Sequence, residues 1–149
     1  MKREDRIKSY RSTIEKNEND CKSRFRDAEA RLAEATQRLS ELQSYRSEYE
    51  RGLGNRVASG MSGPALLDYH AFIARLGEAI RQQQEVVTGC ELEREQQRSR
   101  LRDAAVQVRT VSAVVERWRA EDRSSENRRE QREIDERAQI SFQRAGARA

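Results

Sequence analysis

Apolar residues recur at seven-residue intervals along the first third of the chain. This spacing is typical of a helix that packs one face against another helix, because two residues in every seven form a continuous stripe. It predicts a helix from about residue 3 to about residue 56, in which Ile7, Ile14 and Tyr10 extend the stripe toward the N-terminus with a small slip in phase. The two series are Cys21, Ala28, Ala35, Leu42 and Tyr49, and Phe25, Leu32, Leu39, Arg46 and Leu53.

A second stripe runs through eight consecutive heptads after residue 65. A constant seven-residue period over this length predicts a left-handed supercoil. Polar residues interrupt the stripe at Gln83, Arg94 and Gln97, where they are expected to lower stability while they fix the helix register or the choice of partner. The two series are Leu66, Ile73, Ile80, Val87, Arg94, Leu101, Val108 and Val115, and Tyr69, Leu76, Gln83, Cys90, Gln97, Ala104, Val111 and Trp118.

The stretch from Gly52 to Pro64 separates the two stripes and contains four glycines and the only proline. It predicts a turn at about residues 57–62. Ser62 is expected to cap a second helix, with Pro64 in its first turn, over residues 63 to about 140, and residues 119–149 are expected to overhang and fray. Each apolar stripe must be covered from water, and the nearest surface that can cover it is the other stripe. The predicted fold class is therefore all-α, one long two-helix antiparallel coiled-coil hairpin over residues 1–149.

The composition supports paired helices over a rounded core, since 38% of the residues are charged and 35% are hydrophobic. The net charge is +4, but basic and acidic residues alternate almost everywhere, so no continuous basic stripe for a phosphate backbone is predicted. No apolar stretch approaches the roughly 20 residues of a membrane span, and the N-terminus lacks the apolar region of a secretion signal. We therefore expect a cytoplasmic protein.

Candidate catalytic and metal-binding residues are scarce in this sequence. His70 is the only histidine, which argues against a histidine-based metal cluster or a Ser-His-Asp arrangement. Cys21 and Cys90 occupy stripe positions without a CxxC spacing, so we interpret both as buried thiols. No phosphate-binding glycine loop is present. We expect no enzymatic activity, no cofactor and no metal.

Some apolar residues near the turn lie beside the stripes instead of within them. Tyr45, Phe72 and Ala79 have this position, and the stripe residues Leu42, Tyr49 and Leu76 are adjacent to them in helical projection. Exposed aromatic residues clustered on a charged helical surface are typical of a protein-binding patch. The alternative is that these side chains only widen the two-helix core. We call Leu42, Tyr45, Tyr49, Phe72, Leu76 and Ala79 the turn-end patch.

Three segments carry a family resemblance that spans nearly the whole chain. They are LQSYRSEYERGL, GMSGPALLDYHAFIARLGEAIRQQQ and REQREIDERAQ, and together they resemble the FliJ proteins of the bacterial flagellar export apparatus. The segments around the tyrosines and the turn are the most specific. The resemblance implies a two-helix hairpin similar to the coiled-coil part of the rotary ATPase γ subunit.

The resemblance also implies a set of protein partners. FliJ proteins bind the centre of the hexameric export ATPase, contact the cytoplasmic domain of the membrane export gate and associate with export chaperones. When the family's motif is matched to this sequence, the resemblance implies a gate-contacting surface. It comprises Leu42, Tyr45, Tyr49, Phe72, Leu76 and Ala79, with Gln83 beside them. This chain has Arg38 where the family often has glutamine, and Gln83 where it often has histidine.

The sequence thus favours a non-enzymatic flagellar type III export component that links the ATPase ring to the gate and assists chaperone or substrate delivery. We expect a monomeric hairpin when free, peripheral at the inner face of the membrane through the gate, with no nucleic-acid partner. The alternatives are a generic coiled-coil scaffold, the equivalent stalk protein of a non-flagellar type III system, and a nucleic-acid-binding arm.

Overall fold

A computed structural model describes residues 3–148, and all the regular structure in this range is helical. Helix α1 covers Arg3–Ser59 and helix α2 covers Gly63–Ala147. Both are rich in Ala, Leu, Glu, Gln and Arg, the residues with the strongest helix propensity. The predicted all-α two-helix fold is confirmed. The helices end at residues 59 and 147, beyond the predicted ends near 56 and 140.

The connection between the helices is only residues 60–62, shorter than the predicted turn over 57–62. Gly60 has a φ of 91°, a left-handed conformation that glycine adopts without steric strain, and its N–H donates to the carbonyl of Val57 at 3.2 Å. Ser62 Oγ accepts from the Ala65 N–H at 3.3 Å, and the Ser62 carbonyl accepts from the Leu66 N–H at 3.0 Å. The predicted N-cap at Ser62 is therefore confirmed.

The described chain divides into two compact units, one formed by residues 3–16 with 105–148 and the other by Asn17–Ala104. In the unit Asn17–Ala104, the two helices run antiparallel and pack along the predicted stripes. One series on α1 contains the small, buried residues Cys21, Ala28 and Ala35, and the residues of the other series are half-buried. On α2 the buried positions of this unit are Ile80, Gln97 and Ala104. The seven-residue periodicity therefore identified the packed face correctly.

Polar residues at the packed face of this unit make specific contacts. The Arg94 side chain reaches Glu29 on α1 at 3.8 Å and lies 5.8 Å from the Phe25 ring. Gln97 is buried, and its Nε2 donates to Glu93 Oε1 at 2.9 Å. Gln97 Oε1 has no hydrogen-bond partner among the described residues. An unpaired buried oxygen lowers stability, as expected for a polar interruption of the stripe.

In the unit formed by residues 3–16 and 105–148, the core is a cluster of Ile14, Val111 and Val115, with Ile7 packed against it. The predicted slip in phase is wrong, because Ile7 and Ile14 keep the seven-residue spacing and Tyr10 is exposed. The second series continues instead through half-buried Arg11, a charged residue that an apolar pattern does not include. The long aliphatic stem of Arg11 can cover the packed face while its guanidinium group stays in water.

Beyond Asp122, which pairs with Arg3, α2 forms no ion pair or hydrogen bond with α1 among the described residues. Every residue from 119 to 148 is exposed, including Ile134 and Phe142. Side-chain pairs one turn apart, such as Arg129 with Glu133 at 3.9 Å and Gln131 with Asp135 at 3.3 Å, support the helix locally. This segment therefore presents charged and apolar side chains to solvent from a single helix. We call residues 123–148 the C-terminal arm.

Replacing Gly89 with alanine is expected to raise the free energy of unfolding by about 0.5–1 kcal/mol, because alanine has less backbone entropy to lose than glycine in a helix. Gly89 is exposed in the middle of α2, and a Cβ there would meet no atom within 4 Å. Urea denaturation followed by circular dichroism measures the change.

Gly52→Ala is the matched comparison, since its Cβ would lie 2.9 Å from Tyr69 Oη and the tyrosine would have to move. An equal rise in the free energy of unfolding for both substitutions would contradict the idea that the Tyr69 side chain limits the space at position 52.

Candidate partner-binding surface

The α1 side of the turn-end patch is formed by Leu42, Tyr45 and Tyr49. Leu42 is half-buried at the packed face. Tyr45 lies beside the stripe and is 56% exposed. Tyr49 belongs to the stripe by sequence, yet it is 36% exposed. The helix therefore presents two tyrosine rings to solvent within one turn of each other.

The α2 side of the patch is formed by Phe72, Leu76 and Ala79. Phe72 is 37% exposed, and the other two are half-buried. The Phe72 ring lies 4.6 Å from the Tyr49 ring between centroids, at an interplanar angle of 46°. Tilted aromatic pairs at this distance attract each other beyond their buried area. The fold thus brings residues 23 positions apart in sequence into one aromatic surface.

Tyr69 is a member of this aromatic cluster that the sequence pattern assigns only to the stripe. Its ring lies 5.7 Å from the Tyr49 ring and 5.8 Å from the Arg56 guanidinium. A Cβ at position 52 would lie 2.9 Å from the Tyr69 hydroxyl, so the glycine leaves room for this ring beside α1. The sequence could have indicated that Tyr69 belongs to the cluster, because it precedes Phe72 by three residues and the two are therefore neighbours on the helix.

Gln83 occupies a position that joins the helices. Its Nε2 donates to the main-chain carbonyl of Ala35 at 3.0 Å, and the side chain is half-buried. A carbonyl already bonded within its own helix can accept this second hydrogen bond. The amide nitrogen is thus engaged inside the hairpin, although the family resemblance places Gln83 beside the gate-contacting residues.

Charges around the patch are mostly solvated. A surface groove of about 270 Å³ beside Tyr45 is lined by polar and acidic residues of α1, namely Gln37, Ser40, Glu41, Ser44 and Glu48. On the outer face of α2, Arg81 pairs with both Glu78 and Glu85. The hydrogen bond from Arg81 lowers the pKa of Glu78, and the same bond raises the pKa of Arg81. Because this network is fully exposed, it sets the local charge pattern and adds little stability.

Residues suited to catalysis or metal binding are dispersed. Among residues 3–148 no group of three or more His, Cys, Asp and Glu side chains is arranged to hold a metal ion. His70 is exposed, Cys21 is buried as expected, and Cys90 is only half-buried. No helix in the described range is long and apolar enough to cross a membrane.

A family model described as Flagellar FliJ protein matches residues 6–147, which cover nearly all of α1, the turn and α2. The chain belongs to the FliJ family. The resemblance seen in the sequence is thereby confirmed, and a FliJ-family chain is a component of the flagellar protein export apparatus. FliJ proteins are non-enzymatic components of this apparatus. Neither a curated protein nor a solved structure matches the chain.

Proposed function

We propose that this FliJ-family chain links the hexameric export ATPase to the cytoplasmic domain of the membrane export gate, and that it assists delivery of export chaperones and their substrates. The observation that carries the proposal is the aromatic cluster at the turn-end patch, to which both helices contribute. We assign this patch to the gate. Binding there would hold the protein at the inner face of the membrane.

Exposure of the patch supports an interaction role over a purely structural one. Tyr49 and Phe72 contact each other and so widen the two-helix core in part. Each nevertheless keeps more than a third of its surface in water, and Tyr45 keeps more than half. Aromatic rings at the centre of an interface commonly supply most of the binding energy, because they bury a large area with few torsions to fix.

The C-terminal arm is our candidate for the ATPase contact. Its exposed arginine and glutamate side chains are mixed in sign, so they can form many weak, replaceable pairs around a ring lumen. A large continuous apolar face would bind too tightly for repeated movement. The arm thus combines the charge pattern and the accessibility that this contact requires.

The double substitution Tyr45→Ala, Phe72→Ala is expected to weaken binding of the purified gate cytoplasmic domain by about 30-fold or more. Truncating one such aromatic contact typically costs about 2 kcal/mol in an interface. A pull-down and a titration of the gate domain measure the loss, and circular dichroism confirms that the variant remains helical.

The matched control is Tyr10→Ala, Leu92→Ala, which removes two exposed apolar side chains outside the patch. Equal losses from the two double variants would contradict the assignment of the patch. Failure of the unmodified chain to bind the gate domain would leave a generic coiled-coil scaffold as the better interpretation.

A further inference from the structure

A second surface groove adjoins the turn-end patch on the side away from the turn. It has a volume of about 280 Å³, and residues from both helices line it. Ala35 and Cys90 contribute apolar surface, and Val86 adds a side chain that is 49% exposed. Such a groove between two helices is suited to an apolar side chain of a partner.

The groove continues the patch along both helices. Phe72, Ala79 and Val86 follow one another at seven-residue intervals on α2, so they lie on one line of the helix surface. On α1, Arg38 lies seven residues before Tyr45, and Arg31 seven before Arg38. A partner helix that covers the aromatic cluster can therefore extend over the groove without leaving the same side of the hairpin.

The charged lining of the groove is dominated by two arginines. Arg31 and Arg38 line it from α1, with Glu34 between them as its only acidic residue. Neither guanidinium forms an ion pair with a carboxylate of the described residues, whereas Arg81 and Arg94 on α2 do. Gln83 also lines the groove, but its amide nitrogen is already bonded to Ala35. The free donors that face an incoming ligand are thus the two guanidinium groups.

We infer that this groove binds an acidic amphipathic helix of the same partner that covers the turn-end patch. One apolar side chain of that helix lies on Val86, Ala35 and Cys90, and its carboxylates pair with Arg31 and Arg38. Guanidinium groups bind carboxylates through two parallel hydrogen bonds, which gives this contact orientation as well as attraction. The inference rests on the proposed function, since it extends the proposed gate-binding surface.

Charge reversal by Arg31→Glu, Arg38→Glu is expected to lower the affinity for the purified gate cytoplasmic domain by about tenfold to a hundredfold at about 50 mM salt. The difference from the unmodified chain should shrink at about 500 mM salt, because solution ions screen these exposed charges. Arg26→Glu, Arg102→Glu is the matched control, since both residues are exposed and outside the groove and the change in net charge is the same. We expect it to bind nearly as tightly as the unmodified chain.

A photocrosslinking residue at position 86 provides a second readout, with the same residue at exposed Leu92 as its control. Position 86 should capture a gate-domain peptide that contains several Asp or Glu residues, and position 92 should not. Unchanged binding by the Arg31→Glu, Arg38→Glu variant, or capture of a peptide without acidic residues, would overturn the inference. If Phe72→Ala still abolished binding in that case, the proposed function would stand. Absence of binding by the unmodified chain would overturn both.

Discussion

Substitution of Ala28 by glutamate is expected to lower the free energy of unfolding by roughly 3 kcal/mol or more, because it places an unpaired carboxylate at a packed position. Ala28 is 2% exposed and lies on the series of small residues with which α1 packs against α2. A longer side chain at this point must either push the helices apart or lose its hydration. Urea denaturation followed by circular dichroism at 222 nm measures the change.

Ala33→Glu is the matched control for this prediction, since Ala33 is exposed on the same helix and the change in charge and helix propensity is identical. We expect a change within about 0.5 kcal/mol for this surface position. Similar destabilisation by both substitutions would mean that Ala28 is not a packing position, and that the small series does not form the interface between the helices.

Deletion of residues 123–149 is expected to abolish association with the export ATPase, or to weaken it at least about tenfold, since the deletion removes the exposed C-terminal arm. The deletion retains Trp118 and Arg3, whose guanidinium lies 4.4 Å from the indole ring, together with the partner of Arg3 at Asp122. Co-sedimentation with the assembled ATPase and the rate of ATP hydrolysis measure the effect.

Gate binding provides the internal control for the deletion. The aromatic cluster belongs to the unit Asn17–Ala104, whereas the C-terminal arm belongs to the other unit. We therefore expect the shortened chain to bind the gate cytoplasmic domain as the full chain does. Unchanged stimulation of the ATPase by a shortened chain that still binds the gate would rule out the arm as the ATPase contact.

The family assignment and the proposed contacts rest on different kinds of support. The family model matches both helices as a whole and establishes that the chain is a flagellar export component. The roles of the turn-end patch, the C-terminal arm and the arginine-lined groove are proposals supported by exposure, charge and side-chain contacts. The alanine, deletion and charge-reversal variants test these three roles separately.

Much of the fold was predictable from the sequence because heptad periodicity is a local property. A residue's place in a seven-residue series decides whether it faces the partner helix, whatever the remote sequence is. This is why periodicity alone assigns Ala28, Ala35, Ile80 and Ala104 to the packed face, where all four are buried. The N-cap at Ser62 was predictable for a similar reason, since capping depends only on the backbone N–H groups of the next few residues.

The apolar pattern failed at side chains that are partly aliphatic and partly charged. Arg11 continues the packed series with a charged side chain, so an apolar pattern replaced it by Tyr10 and predicted a slip in phase. The half-burial of Arg11 depends on how its aliphatic stem lies against the neighbouring helix. A rule based on the spacing of apolar residues could not predict this half-burial.

Sequence pattern was enough to predict two helices, the packed face of each, the region of the turn and the aromatic residues beside the stripe. The packing of the two helices was needed to show that Tyr49 contacts Phe72 and Tyr69, that Gln83 bonds to Ala35, and that Arg31 and Arg38 border one groove with Val86. The physical reason is register. Periodicity selects the face of each helix, but the axial offset between the helices, which follows from the turn and from side-chain packing, selects which residues meet.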